Sequence, residues 1–285
     1  MSYKTILVHL DESPRLAERV RLAAALALAD QGHLIGVALT GIARLAYRDG
    51  HIDEQDPHLA LHLNLLRERA GQALAGFAAQ LDAMGLRSHE QHVVDDDAGS
   101  GLSRQARHAD LVVIGQRQPG RGGALLGDLA GHVLLHGGRP LLVVPENGAS
   151  RASLERVLVA WDGGREAARA VTAALPLLRR AAQVDLAVFA PAVPGADDAA
   201  ADAAIVAHLA RHGVAVELLA RPAPAPGLLR HPDPVGAALL ALAAERHSDL
   251  LVMGGYGHSR LREILLGGVT RTLLEQATLP LLLAH

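Results

Sequence analysis

The sequence predicts an α/β protein made of two tandem doubly wound domains, each built on a five-stranded parallel sheet. Three observations carry that prediction. The chain repeats itself: "RHADLVVIG" (107–115) and "RHSDLLVMG" (246–254) match nearly residue for residue, and "ILVHLDE" (6–12) is answered by "VLVAWDG" (157–163). Within each copy the hydrophobic period alternates between that of a strand and that of a helix. The strands, such as "DLVVI" and "PLLVV", are near-continuous apolar runs, which must be covered on both faces, as in a parallel sheet.

The elements follow in order. In the first copy, 4–10 is an apolar strand followed at once by Asp11, and 14–30, which contains "RLAERVRLAAALALA", is a helix. Strand 33–40, a long amphipathic helix over 58–84 that covers its own sheet, and strand 87–94 come next. A helix over 98–108, strand 109–115, helix 126–136 and strand 139–145 close the copy. The second copy repeats the scheme at 156–161, 165–181, 183–190, 198–212, 214–221, 233–247, 249–254, 264–276 and 279–284. Right-handed crossovers between parallel strands then give an open doubly wound layer in each half. The joint lies near "PENGASRAS" (145–153), so the domains are expected at 1–148 and 153–285. The copies differ most in their second crossover, where "PAVPGADDAAADAA" (191–204) has no apolar stripe and is expected to be mobile.

Composition excludes several classes. Half of the 285 residues are hydrophobic but only 2% are aromatic, so Ala, Leu and Val must fill the core. The absence of cysteine removes disulfides, thiolate nucleophiles and Cys-based zinc sites. A formal charge of −3 argues against a broad nucleic-acid-binding face. The opening "MSYKTILVHLDES" is not a signal sequence, and no run reaches the ~18 apolar residues of a membrane span. A soluble, cytoplasmic protein is expected.

In open α/β sheets ligands sit beyond the carboxyl ends of the strands, where the strand order reverses. Two features of the second copy lie at such ends: Asp162, closing its first strand, and the stretch "GGYGHSRLREILLGG" (254–268), leaving its fourth. Glycines admit positive φ and close backbone approach, and consecutive amides followed by a helix N-terminus can hold an anion. Gly254 and Gly257 at the strand exit, with Gly267 and Gly268 before the next helix, form a plausible phosphate cradle; tight turns and close helix–sheet packing are the competing reading. There is no G-x-x-x-x-G-K-[ST], and "GYGHSR" lacks the third glycine of G-x-G-x-x-G, which argues against a P-loop NTPase or a dinucleotide dehydrogenase.

Gly254, two residues, Gly257, nine residues and Gly267 resemble the G-2x-G-9x-G-[ST] signature of the universal stress protein family in its tandem two-domain form. The acid-tipped first strand, "RHSDLLVMG", "GHSRLREILLGGVTR" and the closing "PLLLA" fit as well, and the resemblance covers essentially the whole chain in both copies. It implies the adenine nucleotide alpha hydrolase-like fold, pseudo-dimeric within one chain by edge-to-edge pairing of the halves, with a homodimer of chains as a further step. It also implies ATP, with Mg, as ligand. By the resemblance Asp162 lies at the adenosine end and backbone near Val188 faces adenine; Gly254 approaches the ribose, and Gly257, His258, Gly267 and Gly268 surround the phosphates.

The chain departs from the family pattern in two places. Gly268 stands where the family has Ser or Thr, removing one hydroxyl donor worth about 0.5–1.5 kcal/mol; Ser259 and Thr270 are candidate replacements. In the first copy "GQRQPGRGGALLGD" (115–128) is one residue shorter, puts Gln118 at the second glycine's place and follows Gly127 with Asp128, whose charge would repel phosphate despite Arg117 and Arg121. The first copy is therefore expected to be structural and the second to hold the nucleotide.

Other constellations have plainer readings. Among 16 histidines, His58 and His62 are i, i+4 neighbours with His51 and Asp53 just before, but no third zinc ligand is assured, and a solvated face is expected. Asp95, Asp96 and Asp97 could hold magnesium, although capping of the next helix is simpler. No G-x-S-x-G elbow appears and no second acid or base accompanies Asp162, so no catalytic residue is assigned. The expected function is a non-enzymatic stress-response regulator that binds an adenine nucleotide. The rivals are a nucleotide-free scaffold, favoured by Gly268 and the altered first loop, and a slow ATP hydrolase.

Overall fold

The computed structural model describes residues 2–42, 57–116, 129–148, 153–190, 196–224, 232–257 and 268–285. Contacts divide the chain into two compact units, Ser2–Gly115 with Gly122–Leu141, and Leu142–His285 with Gln116–Arg121.

The first unit contains β1 (Thr5–Leu10), α1 (Leu16–Asp30), β2 (His33–Leu39), α2 (Pro57–Met84), β3 (His89–Val94), α3 (Ala98–Ala106), β4 (Leu111–Gly115) and α4 (Leu129–Gly137). Its strands run β3-β2-β1-β4 and every pair is parallel, with Ile6 beside both Leu34 and Leu111. Ile6, Leu7, Val8 and Leu111 to Val113 are fully buried, which is why these strands read as unbroken apolar runs. On α2 the buried residues Leu63, Ala70, Leu74, Phe77 and Leu81 form one stripe at helical spacing, and it covers the sheet as expected. Asp97 accepts the Ser100 amide at 2.9 Å as the N-cap of α3, the simpler of the two roles open to the acidic run.

Phe77 is accommodated by a missing side chain. A Cβ on Gly36 of β2 would lie 2.7 Å from Phe77 Cε1, so glycine lets the ring lie flat on the strand. Gly36→Ala is expected to cost about 1–3 kcal/mol by overpacking. A lowered melting temperature, recovered in the double variant with Phe77→Leu, would bear this out; a neutral single variant would refute it.

β5 (Leu141–Val144) falls at the division. The second unit continues with β6 (Arg156–Trp161), α5 (Arg165–Leu178), β7 (Gln183–Ala190), α6 (Ala196–Arg211), β8 (Glu217–Pro222), α7 (Pro234–Glu245), β9 (Leu250–Gly254), α8 (Val269–Gln276) and β10 (Leu281–Ala284). Strands β10-β9-β6-β7-β8 follow one another, all parallel, with the same registers on either side of β6: Val157 pairs with Val184 and with Leu250. The fold is the α/β doubly wound arrangement expected.

Two details differ from the sequence reading. β8 starts at Glu217 rather than 214, because Gly213 (φ +76°) and the Val214 amide, bonded to Leu209 O at 3.0 Å, are used to stop α6. Helix α6 begins at Ala196, two residues before the expected start at 198; 191–195 lie outside the described residues. Ile205 and Leu209 are buried and anchor this helix despite its Ala- and Asp-rich start.

Candidate functional site

In the second unit the strand order reverses at β6, whose neighbours β9 and β7 arrive by crossovers of opposite direction, and the carboxyl ends of the parallel strands open there. β6 ends at Trp161 and Asp162. The Asp162 carboxylate accepts the Gly164 amide at 2.8 Å, a turn closed by its own side chain, and Gly163 takes the left-handed φ of +75° that the turn needs. Gly164 is the N-cap of α5. The acid is thus held at the rim of the crevice.

β9 ends at Gly254, and the reason for glycine there is local. A Cβ would lie 2.6 Å from the Ala167 amide nitrogen and 2.6 Å from the Glu166 carbonyl carbon, so only glycine lets the strand end abut the first turn of α5. At Gly257 a Cβ would lie 2.8 Å from Glu166 Oε2. Glu166 is 6% exposed and is paired with Arg165. Burial opposes its charge, but hydrogen bonds from Arg165 and its own amide, with the Arg165 and His285 charges, outweigh burial and hold the carboxyl below the ordinary glutamate value. The left-handed residue of this exit is Tyr256 (φ +59°), whose amide reaches Thr270 Oγ1 at 3.4 Å. Gly268 is the N-cap of α8 and supplies no side-chain cap.

These elements enclose a cavity of about 540 Å³, within the range of small-molecule sites. Trp161, Asp162, Val188, Gly254 and Gly257 all line it, so four of the seven residues singled out in the sequence meet in one place. Gly268 caps the adjoining helix and is absent from the lining; His258 and Gly267, like Ser259, lie outside the described residues. The rest of the wall is largely apolar, with Phe189, Leu239 and Met253, and Asp202 of α6 adds a second carboxylate. Sequence reasoning passed over Tyr256 and Asp202. For Tyr256 the signal was a bulky residue amid glycines in "GGYG"; an aspartate in an Ala-rich helix gives none.

In the first unit the acid that ends the first strand has a partner from the same unit. Asp11 stands where the repeat has Asp162, and Gly115 where it has Gly254. Arg19 of α1, its side chain only 2% exposed, donates to His9 O at 2.7 Å and pairs with Asp11 at 3.1 Å. Its guanidinium lies so close to Gly115 that any Cβ there would overlap it. Burial raises the Asp11 carboxyl, while Arg19 and then His9 lower it further, leaving it below the ordinary aspartate value. His9 is pushed down to about 4 by burial, with Arg19 adding to the effect against Asp11, and is neutral at physiological pH. The glycine-loop residues Arg117, Gln118, Arg121, Gly127 and Asp128 lie outside the described residues, as do His51 and Asp53. Among the described residues no group of three or more His, Asp or Glu side chains is placed to hold a metal ion, and no helix is long and apolar enough to cross a membrane.

Two successive doubly wound layers, the second with a ligand-sized crevice at its switch point, define a tandem α/β protein. The family model described as "Universal stress protein family" matches residues 2–145 and again 153–285, and the chain belongs to that family in tandem form. A universal stress protein from Archaeoglobus fulgidus DSM 4304 superposes with a TM-score of 0.71 at 17% identity, over 98% of this chain and 95% of that one. A Pseudomonas aeruginosa PAO1 protein of unknown function gives 0.59 at 16% identity over 99% and 92%. A universal stress protein solved in complex with cAMP aligns with 52% of this chain and 100% of its own, at 21% identity and a TM-score of 0.37. None of the curated proteins matches this chain significantly.

Proposed function

We propose that the second repeat binds an adenine nucleotide, ATP with Mg, and that the chain is a cytoplasmic, non-enzymatic stress-response regulator. The observation that carries this reading is the cavity that gathers Asp162, Val188, Gly254 and Gly257 at the switch point of one sheet. The residues present suit the group: an apolar wall for a base, a carboxylate for ribose hydroxyls, and the N-terminus of α8 toward which phosphate would lie. Two carboxylates in the lining, Asp162 and Asp202, disfavour a bare polyphosphate, so the magnesium complex is the expected form. In the first repeat the equivalent acid, Asp11, is already paired with Arg19, which supports one nucleotide per chain. A bound nucleotide regulates only by preferring one conformation or assembly, so an ATP-sensitive state, including a homodimer, is part of the proposal.

The second reading, a nucleotide-free scaffold, is favoured by Gly268, which offers no hydroxyl where the family signature has one. Melting profiles with and without millimolar Mg-ATP separate the two. At 100 times the dissociation constant the ligand contributes about 2.7 kcal/mol to the folded repeat. Gly257→Val should abolish that shift while the variant still folds, because the atom a Cβ meets first is the far end of the Glu166 side chain. No shift in the parent chain, with no nucleotide released when the purified protein is denatured, would favour the scaffold.

A further inference from the structure

Among the described residues, three that are not glycine have positive φ: Gln31 (48°), His247 (52°) and Tyr256 (59°). The first two end helices. Gln31 is the C-cap of α1, and His247 follows the C-cap of α7 with its amide bonded to Ala244 O at 3.1 Å, so helix termination explains both conformations. Tyr256 ends no helix. It leaves a strand between Gly255 and Gly257, neither of which has positive φ, so the one left-handed backbone in "GGYG" falls on the bulky residue. A tyrosine there crowds its Cβ against the following carbonyl, a penalty that glycine would escape. Strain of this kind persists where the side chain is needed.

Tyr256 lines the cavity, with Trp161, Val188 and Gly257. Its amide faces Thr270 Oγ1, and the Gly255 amide is bonded to Ala284 O at 2.9 Å, so the backbone on which it is carried is tied to α8 and β10. We propose that Tyr256 is a ligand-positioning residue: its phenol ring forms the β9 end of the cavity wall and packs against the bound nucleotide. The inference rests on the function proposed above. The ring supplies an uncharged aromatic surface, free of the repulsion that a third carboxylate would bring beside Asp162 and Asp202.

Calorimetric titration of the full chain with Mg-ATP tests this with Tyr256→Phe, Tyr256→Ala and Tyr256→Gly. The Phe variant should bind within about threefold of the parent, because the ring remains, and the Ala and Gly variants at least about tenfold more weakly. Without ligand, the Gly variant should melt above the Ala variant, since both lack the ring and only alanine keeps the left-handed penalty. If the parent chain binds and the Ala or Gly variant binds as tightly, the role of Tyr256 is refuted and the nucleotide site stands. A Gly variant that melts no higher than the Ala variant removes the premise of strain and overturns the inference as well. A parent chain that takes up no nucleotide overturns both.

Discussion

Asp185→Ala is expected to destabilise the second repeat by about 1–3 kcal/mol, the loss of charged hydrogen bonds, because the Arg246 charge left behind is a quarter exposed and keeps Glu217 as partner. Asp185 lies on β7 with its side chain 4% exposed. Arg246, just beyond α7, grips it with two parallel bonds, Nε to Oδ2 at 2.8 Å and Nη2 to Oδ1 at 3.0 Å, and also pairs with Glu217 of β8. Gln183 adds a donor at 2.9 Å. Burial alone would raise the Asp185 carboxyl, but the bonds from Arg246 and Gln183 outweigh it and hold the pKa below the ordinary value. The sign of the pH dependence follows. Because the folded value is depressed, this stabilisation is present above the unfolded pKa of about 3.9 and is lost as pH falls through the folded value. Trp161, the only tryptophan, belongs to the same repeat, so urea unfolding followed by its fluorescence reads the loss where it occurs. Replacing Asp185 and Arg246 together by leucine should recover much of the stability, since the charge that then loses its partner, Glu217, is exposed. A single variant that unfolds at the parent's urea midpoint would show that the pair contributes nothing.

Arg19→Ala should destabilise the first repeat by about 3 kcal/mol, the lower end of the range for breaking a buried ion pair, because Asp11 is a third exposed and partly screened. The deletion leaves a planar hole bounded by the Asp11 carboxylate, His9 O and Gly115. Guanidinium chloride at low millimolar concentration should therefore raise the melting temperature of the variant and leave the parent unchanged, with sodium chloride as the ionic control. Equal responses of variant and parent would show that Arg19 packs as ordinary side-chain bulk and that its guanidinium fills no specific place.

The fold was legible because its signals are local and redundant. Strands such as "LLVM" carry an unbroken apolar run, and the duplication reports each element twice. Boundaries slipped where a backbone turn used residues that look strand-like, as at Val214, whose amide closes α6. At the site, the acid-tipped strand and the glycine spacing pointed to Asp162, Gly254 and Gly257, and the family resemblance to Val188; all four line one cavity. The reason for glycine at Gly254 was less visible, since contact with α5 depends on how closely strand and helix approach in three dimensions. Arg19 was hidden for a similar reason. In "RLAERVRL" it reads as one more solvated helix charge, and only the packed structure turns it inward onto Asp11. Tyr256 escaped notice because a side chain's identity does not announce its φ.

Arg19 also has a meaning for how a duplicated protein divides its labour. A cation joined to its carboxylate by the chain itself cannot be diluted, exchanged or competed away by any solute. That pair is set once, at folding, whatever the solution around it holds. A single polypeptide thus carries one strand-end acid neutralised for good beside a second, Asp162, in the wall of a cavity.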